Sequence, residues 1–127
     1  MVIPQDCQGT FHAVRSNKSL ALGAKSEVLA ARISLRIGVA VQDWRIQRMR
    51  TKWGSCHPDT GRILLNLELA KKPPLCLEYI VVHELLHLIE RTYNPRFLSL
   101  LDHHLPDWQH RREVLNRLPV KREAWGY

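Results

Sequence analysis

The run Glu78-Tyr79-Ile80-Val81-Val82-His83-Glu84-Leu85-Leu86-His87 is a mostly apolar helical stretch in which His83, Glu84 and His87 interrupt the hydrophobic pattern. Residues four apart on an α-helix lie one above the other. His83 and His87 can therefore aim neutral imidazole nitrogens at one metal ion, with Glu84 about 100° around the barrel. A zinc ion held by such a pair keeps a position open for water and lowers its pKa towards neutrality, and a neighbouring carboxylate can take the proton as that water attacks a polarised carbonyl. The bland alternative is a pair of hydrogen-bonded core histidines. Against it, burying three polar groups without partners costs about 1–3 kcal/mol each. The sequence thus assigns His83 and His87 as metal ligands, Glu84 as general base and one Zn2+ as cofactor.

The flanks define the helix. Pro73-Pro74 suits a first turn, and the residues from Leu75 to Ile89 are apolar nearly all round, as expected of a helix in the middle of a core. Pro95 disfavours helical geometry at Asn94, which can itself cap a new helix with Pro95 at its first position. The helix is therefore expected to end by Thr92 or Tyr93, which leaves Tyr93 at a corner turned back towards the metal. Two shorter helices are expected at about 95–103 and 106–118.

Upstream, Val28, Leu29, Ile33, Leu35 and Ile37 predict a helix from Lys25 that Gly38 ends. Residues 39–49 are strand-prone, with Trp44 and Ile46 alternating against Arg45 and Gln47. A turn at Cys56-His57-Pro58-Asp59-Thr60-Gly61 precedes a second strand, Arg62–Leu67, and the two strands are expected to form a hairpin. Residues 1–24 carry the least pattern. Ser16 to Ser19 and Gly23 read as loop, giving a leader at 1–24 and a domain at 25–127.

At 127 residues, 45% apolar and 24% charged, the chain suits a single small core. Its formal charge of +7 leaves a nucleic acid or another anionic partner open, although no basic block is long enough to form a tail. Cys7, Cys56 and Cys76 are three, without a C-x-x-C pair, which fits reduced thiols in the cytoplasm better than a disulfide framework. No uncharged stretch approaches the roughly 18–20 residues that span a membrane.

Other side chains are weaker candidates. Glu90 shares the face of His83 and His87 but lies about 7.5 Å along the axis from their midpoint. It reads as a surface carboxylate or one that supports a ligand. Asp102, His103, His104, His110 and Glu113 fall on the later helices and read as exposed polar residues. Trp53-Gly54-Ser55-Cys56 reads first as a tight turn over a packed Trp53, and second as a cleft wall that Gly54 lets the backbone approach closely. Cys56 has no sequence neighbour that would activate it as a nucleophile.

Four motifs in order now carry a resemblance: Thr51-Lys52-Trp53-Gly54-Ser55-Cys56, Gly61-Arg62-Ile63-Leu64-Leu65-Asn66, the stretch Glu78 to His87, and Leu105-Pro106-Asp107-Trp108. Over roughly residues 27–127 the chain resembles the YgjP-like metallopeptidase domain, a family similar to SprT-type zinc proteases and other zincins. The resemblance implies an α+β zincin-like domain, with an active-site helix packed under a small antiparallel sheet and further C-terminal helices. Members also carry a β-rich N-terminal half, which would make residues 1–24 an unrelated leader on a shortened protein.

The resemblance carries His83, Glu84 and His87 over, but the family's third ligand is a histidine just before an Asn. Matching Asn94 and Phe97 puts Tyr93 at that position. A phenol ordinarily ionises near pH 10, whereas imidazole binds neutral, so the exchange should weaken zinc at pH 7. Glu113, 26 residues beyond His87, has a separation compatible with zincins that use a later glutamate. In zincins the edge strand before the active helix pairs with an extended substrate. That role falls to residues 62–67, with Ile63, Leu64, Leu65 and Asn66 as substrate-binding positions.

Three functions stay open. The leading one is a zinc-dependent metallopeptidase acting on a peptide or protein, impaired to the extent that Tyr93 is a poor ligand. The second is a metal-dependent nucleotide hydrolase whose phosphoanhydride substrate is held by Arg48, Arg50 and Lys52. The third is a degenerate, metal-free domain that binds protein or nucleic acid.

Overall fold

The computed structural model describes residues 17–117, with side chains from residue 21 onward. In chain order the elements are α1 (Asn17–Ile37), β1 (Asp43–Gln47), β2 (Gly54–His57), β3 (Arg62–Asn66), a 3-10 turn (Leu67–Lys71), α2 (Pro74–Leu86), α3 (Pro95–His104) and α4 (Trp108–Arg117). This is the α+β class expected. Residues 1–16 of the expected leader lie outside the described residues.

The first helix starts earlier than its sequence suggests. Residues 17–24, among which Asn17 to Ser19 and Gly23 read as loop, form its first two turns. A mid-helix glycine such as Gly23 costs roughly 1 kcal/mol relative to alanine. Packing outweighs that cost, because Leu22, Ser26, Ala30 and Ile33 make one buried stripe at helical spacing. Ser26 also accepts a hydrogen bond from the indole of the buried Trp44 at 3.0 Å, which ties α1 to β1.

The sheet corrects the expected hairpin. Its order is β1-β3-β2, with β1 parallel to β3 and β2 antiparallel to β3. The hairpin joins β2 to β3, and its turn is closed by the amides of Thr60 and Gly61 on the His57 carbonyl. Gly61 takes a φ of +69°, a left-handed conformation that favours glycine. Gly54–His57, read as part of a tight turn, is thus a strand. Its residues have weak strand preference, and pairing with β3 decides their conformation.

β3 is the central strand. The expectation that residues 62–67 form an edge strand is therefore corrected: both edges of β3 are paired, and Ile63 and Leu65 are wholly buried. The free edge nearest the helix bearing His83 belongs to β2.

Asn66 makes this arrangement hold. Its Nδ2 donates to the carbonyls of Met49 and Lys52 at 2.8 and 2.7 Å, and its Oδ1 accepts from the amides of Glu68 and Met49 at 3.0 and 3.3 Å. One buried side chain thus fixes the crossover from β1 to β2 and caps the 3-10 turn. Asn66→Leu should lower stability by about 2–4 kcal/mol, since several backbone groups lose partners at once. Urea denaturation measures this, and a loss below about 1 kcal/mol would show that the staple is dispensable.

Candidate active site

α2 runs through the core, with Cys76, Leu77 and every residue from Tyr79 to Leu86 buried. Pro73 precedes it and Pro74 occupies its first turn, as the sequence predicts. The helix ends sooner than expected: Leu86 is its last residue and His87 is the C-cap. His83 and Glu84 are 4% and 2% exposed, so their polar atoms sit at the floor of a cleft rather than on a surface.

The two imidazoles face each other, with ring centroids 5.0 Å apart and planes at 73°. His87 Nδ1 lies 2.9 Å from the backbone carbonyl oxygen of Glu90. A carbonyl can only accept, so Nδ1 carries the proton and Nε2 keeps its lone pair for a ligand. Phe97, fully buried, stacks on His87 at 4.3 Å and meets the edge of His83 at 5.0 Å. It fixes both rings.

The corner after the helix is tied by short-range bonds. Glu90 Oε2 accepts from Asn94 Nδ2 at 3.1 Å and Thr92 Oγ1 at 3.2 Å, while Asn94 Oδ1 caps α3 by accepting from the Phe97 amide. Asn94 and Pro95 thus start α3 as the sequence predicts. Glu90 acts through its backbone carbonyl and by bracing the corner. Tyr93 projects from that corner, half-exposed, with its ring 6.0 Å from that of His83 at 25° and 5.3 Å from that of Phe97.

β2 supplies the opposite wall. A Cβ built on Gly54 would come within 3.0 Å of Glu84 Cγ and Ile80 Cγ2 and within 3.1 Å of Glu84 Oε2. A larger residue here would press on the carboxylate and on Ile80. Gly54→Ala should therefore cost about 1–3 kcal/mol by overpacking. A urea midpoint unchanged from that of the parent chain would show that Glu84 yields freely.

Cys56 lies on the same wall. Burial pushes its thiol up to about 12, with Glu84 adding to the shift and Arg91 opposing it. It is a protonated thiol at neutral pH and no nucleophile.

Between these walls lies a cleft of about 490 Å³. His83, Glu84, His87 and Tyr93 line it from the helix side, and Gly54, Ser55 and Cys56 from β2, with Lys52 and Arg91 among the remaining lining residues. His83, Glu84, His87 and Tyr93 therefore meet as singled out from sequence, and Gly54, Ser55 and Cys56 form the cleft wall that was the second reading of their segment. Ile63, Leu64, Leu65 and Asn66 do not line the cleft, and neither do Asp102, His103, His104, His110 and Glu113. Asp102 instead accepts from the Trp108 indole. Arg48 pairs with Glu68 at 3.1 Å, and neither it nor Arg50 reaches the cleft. Arg91 was not anticipated, since nothing in its local sequence marks it.

The fit to a metal can be judged from these rings. Two imidazoles sharing a tetrahedral zinc, at Zn–N distances of about 2.0–2.1 Å, have centroids roughly 5 Å apart. The observed separation matches, and the His87 tautomer is the one ligation needs. Among the described residues no three His, Cys, Asp or Glu side chains group as a metal-binding set. Tyr93, which also lines the cleft, adds a phenol beside the two imidazoles.

The family model of the YgjP-like metallopeptidase domain matches residues 14–118. The chain belongs to that family. Its fold is similar to that in the crystal structure of the metallopeptidase zymogen of Methanocaldococcus jannaschii jannalysin. The TM-score is 0.54 at 22% identity, over 72% of this chain and 89% of that one. That likeness shows a shared α+β fold. No curated protein matches the chain at a significant level. Among the described residues no helix is long and apolar enough to cross a membrane.

Proposed function

We propose that this YgjP-like domain is a zinc-dependent metallopeptidase in which His83 and His87 hold the ion, the Tyr93 phenol stands as third donor, and Glu84 is the general base. The observation that carries the reading is the paired imidazoles over the cleft floor, with the His87 tautomer fixed by the Glu90 carbonyl. When bound there, zinc supplies Lewis-acid polarisation of the scissile carbonyl and lowers the pKa of the attacking water.

The remaining work belongs to the chain. Glu84, buried beside His83 and pressed by Gly54, accepts the proton of the attacking water and returns it to the leaving amine. Its burial on the cleft floor keeps bulk water from competing for that proton. Phe97 holds the two rings in register. The free edge of β2 offers backbone groups to an extended peptide, which aligns the scissile bond over Glu84 without demanding particular side chains.

With Tyr93 as the third donor, zinc is held more weakly at pH 7 than three imidazoles would hold it, because the phenol binds well only after losing its proton. The test is hydrolysis of a peptide library and of nucleoside triphosphates by the purified chain, before and after chelation. Peptide cleavage should disappear with the chelator and return with one equivalent of zinc. Turnover of triphosphates alone would overturn the proposal, as would peptide cleavage indifferent to the chelator.

A further inference from the structure

The charges around the cleft are one-sided. Among the described residues Glu84 is the only acidic one lining it, and its carboxylate is buried at the floor. At the rim stand two cations, placed at opposite ends of the β2 edge. Lys52 is exposed, lies two residues before Gly54, and forms no ion pair among the described residues. Arg91 comes from the corner after α2, lines the cleft with Cys56 and Pro58, and meets Asp59 just beyond the C-terminal end of the strand.

The Arg91–Asp59 pair is easily exchanged, because its side chains are 63% and 80% exposed. Exposed pairs of this kind contribute little to stability. An incoming carboxylate can take Arg91 from Asp59 at small cost. The four residues of β2 provide about 13 Å of edge, enough for a short extended segment whose side chains on one face recur every second residue. A peptide laid there passes Lys52 on one side of Glu84 and Arg91 on the other.

We infer that the cleft selects extended peptides with acidic side chains on both sides of the scissile bond, read by Lys52 at one end of β2 and by Arg91 at the other. This substrate class rests on the peptide-binding reading above, but its test does not depend on turnover. Opposite charges across a rim set preference and salt dependence more than total affinity.

The experiment uses the full chain carrying Glu84→Gln, which cannot consume its ligand. Fluorescein-labelled decapeptides bear two Asp, two Asn or two Lys flanking a central Ala-Leu, and binding is followed by anisotropy at low and high salt. The Asp peptide should bind roughly fivefold more tightly than the Asn peptide at low salt, with a smaller gap at high salt. Lys52→Gln and Arg91→Gln should each narrow that gap about two- to fivefold, whereas Asp59→Asn, which releases Arg91, should widen it.

Opposite movement by two surface substitutions cannot come from misfolding. Equal binding of the three peptides would overturn the inference, and so would a gap that none of the substitutions moves. A single-stranded oligonucleotide that displaces the Asp peptide at equal charge would overturn it in favour of a nucleic-acid surface. Cleavage by the parent chain is scored separately. A binding preference without cleavage upholds the inference and defeats the peptidase reading; cleavage without preference does the reverse.

Discussion

Glu84→Gln is expected to lower kcat for peptide cleavage roughly 10²–10⁴-fold while leaving zinc content unchanged, the range typical of losing a positioned general base. The amide is nearly isosteric with the carboxylate. It can occupy the same buried space beneath Gly54 without the contacts a larger group would make there. What it lacks is a basic oxygen. KM should change little, because the β2 edge and the cleft rim are untouched. Turnover and metal content measured on one preparation separate the possibilities: an active Glu84→Gln chain would remove Glu84 from the chemistry, and a metal-free one would make it a ligand.

The second large effect concerns the corner. Tyr93→His should raise zinc affinity at pH 7 by at least roughly tenfold, because imidazole binds neutral while phenols ordinarily ionise about three decades above neutral pH. The sign of the pH dependence follows from the same proton. Zinc binding to the parent chain releases one more proton than binding to the variant, so the parent's affinity should climb more steeply between pH 7 and 9, by up to about tenfold per unit. Titration calorimetry in buffers of different ionisation enthalpy counts that proton directly. Equal proton release would mean that the phenol is not a ligand, and Tyr93→Phe should then leave the affinity unchanged.

The features legible from sequence were those set by local chemistry. Pro73-Pro74 starts α2 and Asn94-Pro95 starts α3 because the residues themselves restrict the backbone and supply the cap. His83 and His87 share a face because helix geometry fixes four-residue spacing. Pro95 and the cap at Asn94 put Tyr93 at a turned corner, and its ring does approach His83.

Partners distant in sequence were not legible. β1 and β3 alternate well enough to be recognised as strands, yet nothing in either says that they run parallel or that Gly54–His57 comes between them in the chain while flanking β3 in space. The edge role therefore passed from Ile63, Leu64 and Leu65 to a segment with little strand preference of its own. Asn66 is expected from sequence only among the substrate-binding positions. It caps the 3-10 turn and also anchors a loop some fifteen residues upstream, which sequence alone does not reveal. Arg91 lines the cleft from the corner after α2, which ends at Leu86, one turn earlier than its apolar pattern suggests.

An unpaired strand edge invites any extended chain, including another copy of the same domain. β2 is only four residues long, with Lys52 shortly before it and Pro58 directly after it. The lysine penalises approach by a like-charged copy, and the proline has no amide to continue a ladder. Both features limit how far a second copy could extend the ladder, and lengthening β2 with β-branched residues should make the same edge a seed for aggregation.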